Sequence, residues 1–109
     1  MNKVTTKQLN AMKQLLINLK EFVDLKYGNI DNVVVMTHKL MPNNIMVKYE
    51  KSFTTAGQRD YENRIASVDL DGNISFIDQN FKDIFERSAF LSECKEFDLD
   101  NPNHYEKID

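Results

Sequence analysis

The sequence predicts an α+β domain in which a four-stranded antiparallel sheet carries an N-terminal and a C-terminal helix on one face. Three observations support this architecture: an amphipathic stripe near the N-terminus, strand-like segments in the middle, and a second helical pattern after residue 78. The predicted order is helix, four strands, helix. Because the connections are short, the strands are expected to form a meander, and the single apolar face of such a sheet needs both helices.

The first helix has clear signals at both ends. Thr5 and Gln8 have the spacing of a capping box, and Val4 precedes the cap, where it can pack against Leu9. Gly28 is the expected residue just past the helix C-terminus. The apolar residues between these ends recur at gaps of three and four and predict a face turned to the core. They are Leu9, Met12, Leu15, Leu16, Leu19, Phe22 and Val23.

The middle of the chain contains two strand-like segments. Residues 33–40 are rich in β-formers, and residues 45–53 alternate between apolar and polar side chains. The second of these strands has one face that is expected to be wet, formed by Met46, Lys48, Glu50 and Ser52. Residues 29–32 are predicted to be a loop, residues 41–44 a turn, and residues 54–60, which lack apolar content, a mobile loop.

A hairpin with a defined register is predicted for the third and fourth strands. A type I turn followed by a left-handed glycine keeps the apolar residues on one face, whereas a two-residue loop would mix the faces. This turn uses Leu70, Asp71 and Gly72, and it opposes Val68 to Ile74 and Ala66 to Phe76. The same stretch superficially mimics a calcium-binding loop. Each possible frame lacks a required ligand or the required glycine, so no metal site is predicted.

The second helix is expected to begin after Asp78 as its N-cap, and two apolar seams follow on roughly opposite sides. The seam assigned to the core contains Phe81, Ile84 and Phe85, and the other contains Phe90, Cys94 and Phe97. One interpretation is that the helix breaks near Ser88 or Ser92, or that the C-terminal residues Leu99, Tyr105 and Ile108 cover the second seam. The other is that this seam binds a partner.

Residues 1–97 are expected to form a single domain, and residues 98–109 a polar, acidic and partly disordered tail. The charge is distributed unevenly. Residues 1–60 carry nine Lys/Arg against five Asp/Glu, whereas residues 61–109 carry five against twelve. The acidic half is either ordinary solvated surface or a surface that meets a basic partner.

No catalytic, cofactor-binding or metal-binding motif is present, and neither enzymatic activity nor a cofactor is expected. Cys94 is the only cysteine, which is typical of a reducing compartment, and the cytoplasm is the expected location. His38 and His104 have no second ligand at metal spacing. The apolar runs are too short to cross a membrane. The net charge of −3 and the scarcity of arginine argue against direct nucleic-acid binding.

The function favoured by these observations is that of a non-catalytic protein that binds and inhibits another, nucleic-acid-handling protein with a basic surface. Small acidic chains without cofactors occur among phage inhibitors of host defence, such as anti-CRISPR proteins, and among toxin-immunity proteins. The likeness is one of size and charge, without a diagnostic motif. Acidic side chains would steer the partner and two phenylalanines would anchor it. The predicted partner-binding residues are Glu86, Phe90, Glu93, Glu96, Phe97, Asp98 and Asp100.

Two alternatives remain open from the sequence. One is a homodimeric adaptor or chaperone-like module that associates through the first helix or a sheet edge, so the chain is expected to be a monomer or a homodimer. The other is a module that binds a small ligand or single-stranded nucleic acid on the wet face of the sheet. The side chains available for that role are Lys39, Met46, Lys48 and Glu50.

Overall fold

The computed structural model describes residues 2–23 and 28–109, with the side chain of Val23 left undescribed. The helices are α1 (Thr6–Val23) and α2 (Ile84–Ser92), and single 3-10 turns cover Asp78–Asn80 and Pro102–His104. The strands are β1 (Asn2–Val4), β2 (Gly28–His38), β3 (Met41–Thr55), β4 (Gln58–Val68), β5 (Ile74–Phe76), β6 (Lys95–Glu96) and β7 (Tyr105–Lys107). The predicted α+β class is confirmed. Neither described helix is long and apolar enough to cross a membrane.

The main sheet has five antiparallel strands in the order β5-β4-β3-β2-β6, and β1 pairs separately with β7 in parallel. The predicted four-stranded meander corresponds to β2 through β5. The strands β1, β6 and β7 were not predicted, because segments of two or three residues are too short to show alternation. The sheet therefore has five strands instead of the predicted four, because β6 adds to the edge of β2.

The start of α1 forms as predicted. The Gln8 backbone N–H donates to Thr5 Oγ1 (3.1 Å), and the Thr5 N–H donates to Gln8 Oε1 (3.3 Å). Val4 and Leu9 are both buried beside this cap, as a hydrophobic staple requires. The prediction for Gly28 is wrong, because this glycine begins β2. The residues that join α1 to β2 lie outside the described part of the chain.

The strands β2 and β3 extend beyond their predicted ends. Residues 29–32 belong to β2, where a bulge accommodates Asn32 in the left-handed conformation (φ 55°). Residues 41–44 belong to β3, so the connecting turn consists of Lys39 and Leu40. These stretches are polar or contain proline. They are strands because the neighbouring strand supplies backbone hydrogen bonds, which strand propensity does not capture.

Residues 54–60 were expected to be a mobile loop, but they form the end of the β3–β4 hairpin. The ladder continues to the pair Thr55 and Gln58. The turn residues Ala56 and Gly57 have φ values of 52° and 81°, as in a type I′ turn, whose twist matches that of the strands. Backbone pairing holds this arm together without buried side chains, which is why hydrophobic periodicity did not reveal it.

We expect Ala56→Asn to raise the free energy of unfolding by about 0.5–1 kcal/mol, because asparagine tolerates the left-handed conformation better than alanine. Asn-Gly is also the preferred pair in type I′ turns. Urea unfolding measures the change, and Thr54→Asn, one residue before the hairpin's last pair, serves as the control. If both variants lose stability to the same extent, the turn is not of type I′.

The β4–β5 hairpin has the predicted turn and register. The Gly72 N–H donates to the Asp69 carbonyl (3.0 Å) with Gly72 at φ 80°, and Ala66 opposes Phe76 as expected. The backbone N–H of Asn73, helped by others in the turn, holds the pKa of Asp69 below its ordinary value. Because β5 is an edge strand, Phe76 remains half exposed rather than fully covered.

The sheet is covered on both faces, which corrects the prediction that both helices lie on one face. The α1-side core consists of Val4, Leu9, Met12, Leu19, Ile45, Val47, Tyr49, Ala66, Val68, Phe97 and Leu99. The α2-side core consists of Met36, Met46, Ile65 and Ile77, with Phe81, Phe90, Leu91 and Cys94 packed against it. Met46 was predicted to be on a wet face, but it is 0% exposed. Its neighbours in β3, which point the other way, belong to the α1-side core.

The helix α2 begins later than predicted and turns its other side to the sheet. Asp83 is the N-cap, and its Oδ1 accepts the Glu86 N–H (2.9 Å). Asp78 is not the cap, because its carboxylate accepts the Ile65 N–H from β4. Ile84 and Phe85, predicted to face the core, are 70% and 81% exposed. The seam that contains Phe90 and Cys94 packs inward instead.

Residues 98–109, expected to be a tail outside the domain, lie against it in the structure. Leu99 is buried in the α1-side core, and Tyr105 stacks on Phe97 with ring centroids 5.6 Å apart. The Asp109 carboxylate accepts the Thr6 N–H at the start of α1 (3.0 Å). For Phe97 the first interpretation of the second apolar seam is therefore correct. The helix ends at Ser92, and the C-terminal segment covers the Phe97 side chain.

Candidate protein-binding groove

A groove of about 520 Å³ lies between α1, the outer edge of β2 and the segment that follows β6. Its apolar lining comes from Leu16, Val33, Val34, Val35, Phe97 and Leu99. Its polar lining comes from Glu96, Asp98, Asp100 and His104. No lysine or arginine of the described residues is part of this lining. The groove thus combines an apolar floor with a rim of three carboxylates.

The pairing of β6 with β2 determines where the apolar floor and the acidic rim of the groove lie. Two residue pairs join these strands, and the Phe97 N–H then donates to the Val35 carbonyl (2.9 Å). From residue 96 to residue 100 the sequence E-F-D-L-D alternates, so successive side chains point to opposite sides. Phe97 and Leu99 are 5% and 8% exposed, whereas Glu96, Asp98 and Asp100 are exposed. The alternation therefore puts the apolar residues in the core and the acids at the rim.

A turn fixes the far end of the rim. The Asp98 Oδ1 accepts the Asp100 N–H (2.9 Å), and the Asn101 N–H donates to the Asp98 carbonyl (3.3 Å). The Asn101 side chain then caps the 3-10 turn that begins at Pro102 by accepting the Asn103 N–H (3.1 Å). This turn directs the chain away from β2 immediately after the rim.

The rim carboxylates are free to meet an outside charge. The ion pairs within the described ranges join Arg64 to Glu62 and Arg87 to Asp78, and a carboxylate oxygen of Glu93 lies 3.5 Å from the imidazole of His38. None of these pairs involves Glu96, Asp98 or Asp100. Three carboxylates without an ion-pair partner among the described residues create a local negative potential beside the apolar floor. This potential attracts a cationic ligand and raises its rate of association.

The structure brings four of the seven predicted partner-binding residues together. Glu96, Phe97, Asp98 and Asp100 line the groove. Phe97 does so from the core, so it is part of the floor and not an exposed anchor. The remaining predicted residues, Glu86, Phe90 and Glu93, do not line it.

Phe90 lies on the opposite face of the sheet from Phe97, so the two do not form one continuous anchor. Its ring stacks on His38 with centroids 4.2 Å apart and planes 4° apart. His38 is buried, and its Nδ1 accepts the Leu40 N–H (3.0 Å), which assigns the ring proton to Nε2. That nitrogen lies 3.5 Å from the Glu93 Oε2. Phe90 therefore covers a buried histidine rather than a partner.

The exposed apolar residues of α2 were missed because the wrong seam was assigned to the core. Ile84 and Phe85 project into solvent in its first turn, beside the exposed Glu86. Either seam satisfies helical periodicity, so the sequence contained no signal to choose between them. The groove itself was also missed. Its one sequence signal is the V-V-V run at residues 33–35 in a strand that also contains charged and polar residues.

The side chains predicted to form an alternative ligand face lie in different environments. Met46 is in the α2-side core, which removes it from any exposed binding face. Lys39 lines a second pocket of about 340 Å³ with His38, Glu93 and His104. Glu50 is exposed further along β3 and accepts a hydrogen bond from Asn32 (2.9 Å). These side chains do not converge on one site.

Cys94, the single cysteine, packs against the α2-side core. Burial raises the pKa of the Cys94 thiol above its ordinary value, and a raised pKa lowers the fraction of nucleophilic thiolate. Within residues 2–23 and 28–109, no cluster of three or more His, Cys, Asp or Glu side chains is placed to hold a metal ion. The groove is the feature of the described structure that is best suited to recognition.

The chain was compared with protein-family models, curated proteins and solved structures, and none of them matches it.

Proposed function

We propose that this protein is a non-catalytic inhibitor that binds a basic surface of another protein through the acidic groove. The observation that carries the proposal is the rim of Glu96, Asp98 and Asp100 above an apolar floor. Complementary charge directs encounter and register, while apolar contact supplies much of the free energy of binding. A surface of this kind fits a partner that presents lysine or arginine around an apolar side chain.

A nucleic-acid-handling protein is the class of partner that we propose. Such proteins use basic grooves to neutralise phosphates, so an acidic protein seated in the groove competes directly with the nucleic acid. The distribution of charge supports this, because residues 61–109 carry twelve acidic side chains against five basic ones. The inhibitor would be of the phage anti-defence, anti-CRISPR or toxin-immunity type.

The roles of the predicted residues change in this proposal. Phe97 shapes the floor from the core, so the anchoring side chain comes from the partner. Glu86 and Glu93 are exposed acids outside the groove. They contribute to the long-range field, which acts over about 8–10 Å at physiological salt. Phe90 supports the fold through its contact with His38.

The decisive experiment reverses the charge of the rim. We expect Glu96→Lys/Asp100→Lys to abolish capture of the partner from nuclease-treated bacterial lysate, because the basic surface would then be repelled. Neither side chain makes a hydrogen bond or an ion pair with another described residue, so the fold should be retained. Once the captured protein is identified, its nucleic-acid binding should be lost on adding the wild-type chain and retained on adding Glu96→Lys/Asp100→Lys at the same salt concentration.

The matched control is Asp60→Lys/Asp71→Lys, which changes the net charge equally at two exposed positions outside the groove. This variant should capture the same protein as the wild type. Equal loss in both double variants would mean that overall charge, and not the groove, governs binding. Retention in both would exclude the rim as the binding site.

A further inference from the structure

We infer that the groove takes an extended segment of its partner, with alternating basic and apolar side chains, which adds as a strand to the outer edge of β2. This inference rests on the proposed function and specifies how the partner binds. It depends on three features of the described structure: an unpaired strand edge, an alternating wall beside it, and the abrupt end of β6.

The unpaired edge lies along residues 28–34. The strand β3 pairs with one side of β2 over most of its length, from Gly28 to His38. On the other side, β6 pairs only with Met36 and Thr37, and Phe97 adds one hydrogen bond to Val35. No described residue pairs with residues 28–34 on this outer side. Unpaired N–H and C=O groups at a sheet edge are the usual template for an added strand. The bulge at Asn32 separates residues 28–31 of this edge from residues 33–34, which lie next to the end of β6.

The end of β6 leaves room for a strand to continue in the same position. After Phe97 the chain turns at Asp98 and leaves the sheet. An incoming segment can therefore take up the pairing of β2 at the point where β6 stops. The groove opens beside this point, and its volume of about 520 Å³ accommodates large side chains.

The alternating wall specifies the sequence pattern of the segment. Apolar side chains on one side of an added strand would lie over the floor formed by Leu16, Val35 and Phe97. The side chains on the other side of the added strand would lie next to the exposed carboxylates of the rim. Further along the edge of β2 they would lie next to the exposed Asp31. Cross-strand pairs of opposite charge and pairs of apolar residues both stabilise such an arrangement. The matching segment alternates valine-like residues with lysine or arginine.

The test uses synthetic seven-residue peptides and the full chain. The probe is fluorescein-labelled RVKVRVK, compared with the acidic peptide EVEVEVE. Two further peptides keep the sequence of the probe but carry backbone N-methyl groups, in one on every valine and in the other on every basic residue. Because one edge of an added strand faces β2 and the other faces solvent, only one of these peptides loses its pairing hydrogen bonds. Fluorescence anisotropy measures the affinities.

We expect one N-methylated peptide to bind like the probe and the other about tenfold or more weakly, because several hydrogen bonds are lost. The acidic peptide should not bind, and Glu96→Lys/Asp100→Lys should weaken binding of the probe. In amide hydrogen exchange, residues 28–34 should gain protection with the probe and not with the weaker N-methylated peptide.

Three outcomes would overturn strand addition and are distinguishable from failure of the proposed function. If both N-methylated peptides bind like the probe, binding is by charge alone, and the acidic groove still captures a basic partner. If the probe does not bind while groove-dependent capture from lysate persists, the partner does not bind as an extended strand. If sedimentation shows a dimer without peptide and residues 28–34 are protected in it, the edge is occupied by a second copy of this chain.

Discussion

Replacing Met46 by alanine is expected to lower the free energy of unfolding by about 2–4 kcal/mol, the range for deletion of a fully buried aliphatic side chain. Met46 is 0% exposed in the α2-side core, between the sheet and the segment that contains α2. The truncation removes apolar contacts and leaves a cavity that the backbone of β3 cannot close, because the other face of the same strand is packed on α1. Urea or thermal unfolding measures the loss.

Thr54→Ala is the matched control for Met46→Ala. Thr54 lies on the same face of β3, eight residues further along the strand, but it is exposed in the hairpin arm. Its truncation should change stability by less than about 1 kcal/mol, the span of strand propensities. Equal small effects at both positions would show that this face of the sheet is wet along its whole length, as the alternation of polar residues had suggested.

Gln8→Glu is expected to cost about 2–4 kcal/mol, although the two residues are equally suited to a capping box. Gln8 is 0% exposed, and its Nε2 donates to the carbonyls of Asn43 (2.8 Å) and Val68 (3.0 Å). A glutamate keeps the acceptor that binds the Thr5 N–H, but it brings a buried charge against two carbonyl oxygens and donates to neither. An unpaired buried charge is among the most destabilising changes in a protein.

Gln14→Glu makes the same chemical change on the same helix at an exposed position, where the Gln14 side chain donates to Asn18 (3.0 Å) and to no other described residue. It should alter stability by no more than about 0.5 kcal/mol. The difference between the two variants isolates the bridge from Gln8 to β3 and β4. If urea unfolding gives the same value for both, the side chain of Gln8 does not link the helix to the sheet.

The features that were predicted correctly depend on residues close together in the chain. The capping box joins Thr5 to Gln8, and the β4–β5 turn joins Asp69 to Gly72. Each is a set of hydrogen bonds within four residues, with a glycine or an oxygen-bearing side chain whose chemistry permits few alternatives. The apolar pattern of the flanking residues selected this turn, and the register that it implies is confirmed.

The features that were predicted wrongly depend on what a distant segment covers. Whether Met46 is wet is decided by α2, which lies about forty residues later, and whether Ile84 or Phe90 faces inward is decided by the apolar surface that β2, β3 and β4 present. Helical periodicity permits either seam of α2. In the structure Phe90 and Cys94 face that apolar surface, whereas Ile84 and Phe85 are exposed.

By itself the sequence determined the α+β class, the capped first helix, the turn at Gly72 and the acidic character of the C-terminal half. These follow from local hydrogen bonding, backbone conformation and composition. Only the tertiary structure decided that the helices lie on opposite faces, that Phe97 is buried, and that Glu96, Asp98 and Asp100 line one groove with residues 33–35. The reason is that burial is a property of the assembled chain. The alternation in a segment such as 96–100 predicts which side chains lie on the same side. Which of the two sides is exposed to solvent depends on the segments that pack against it.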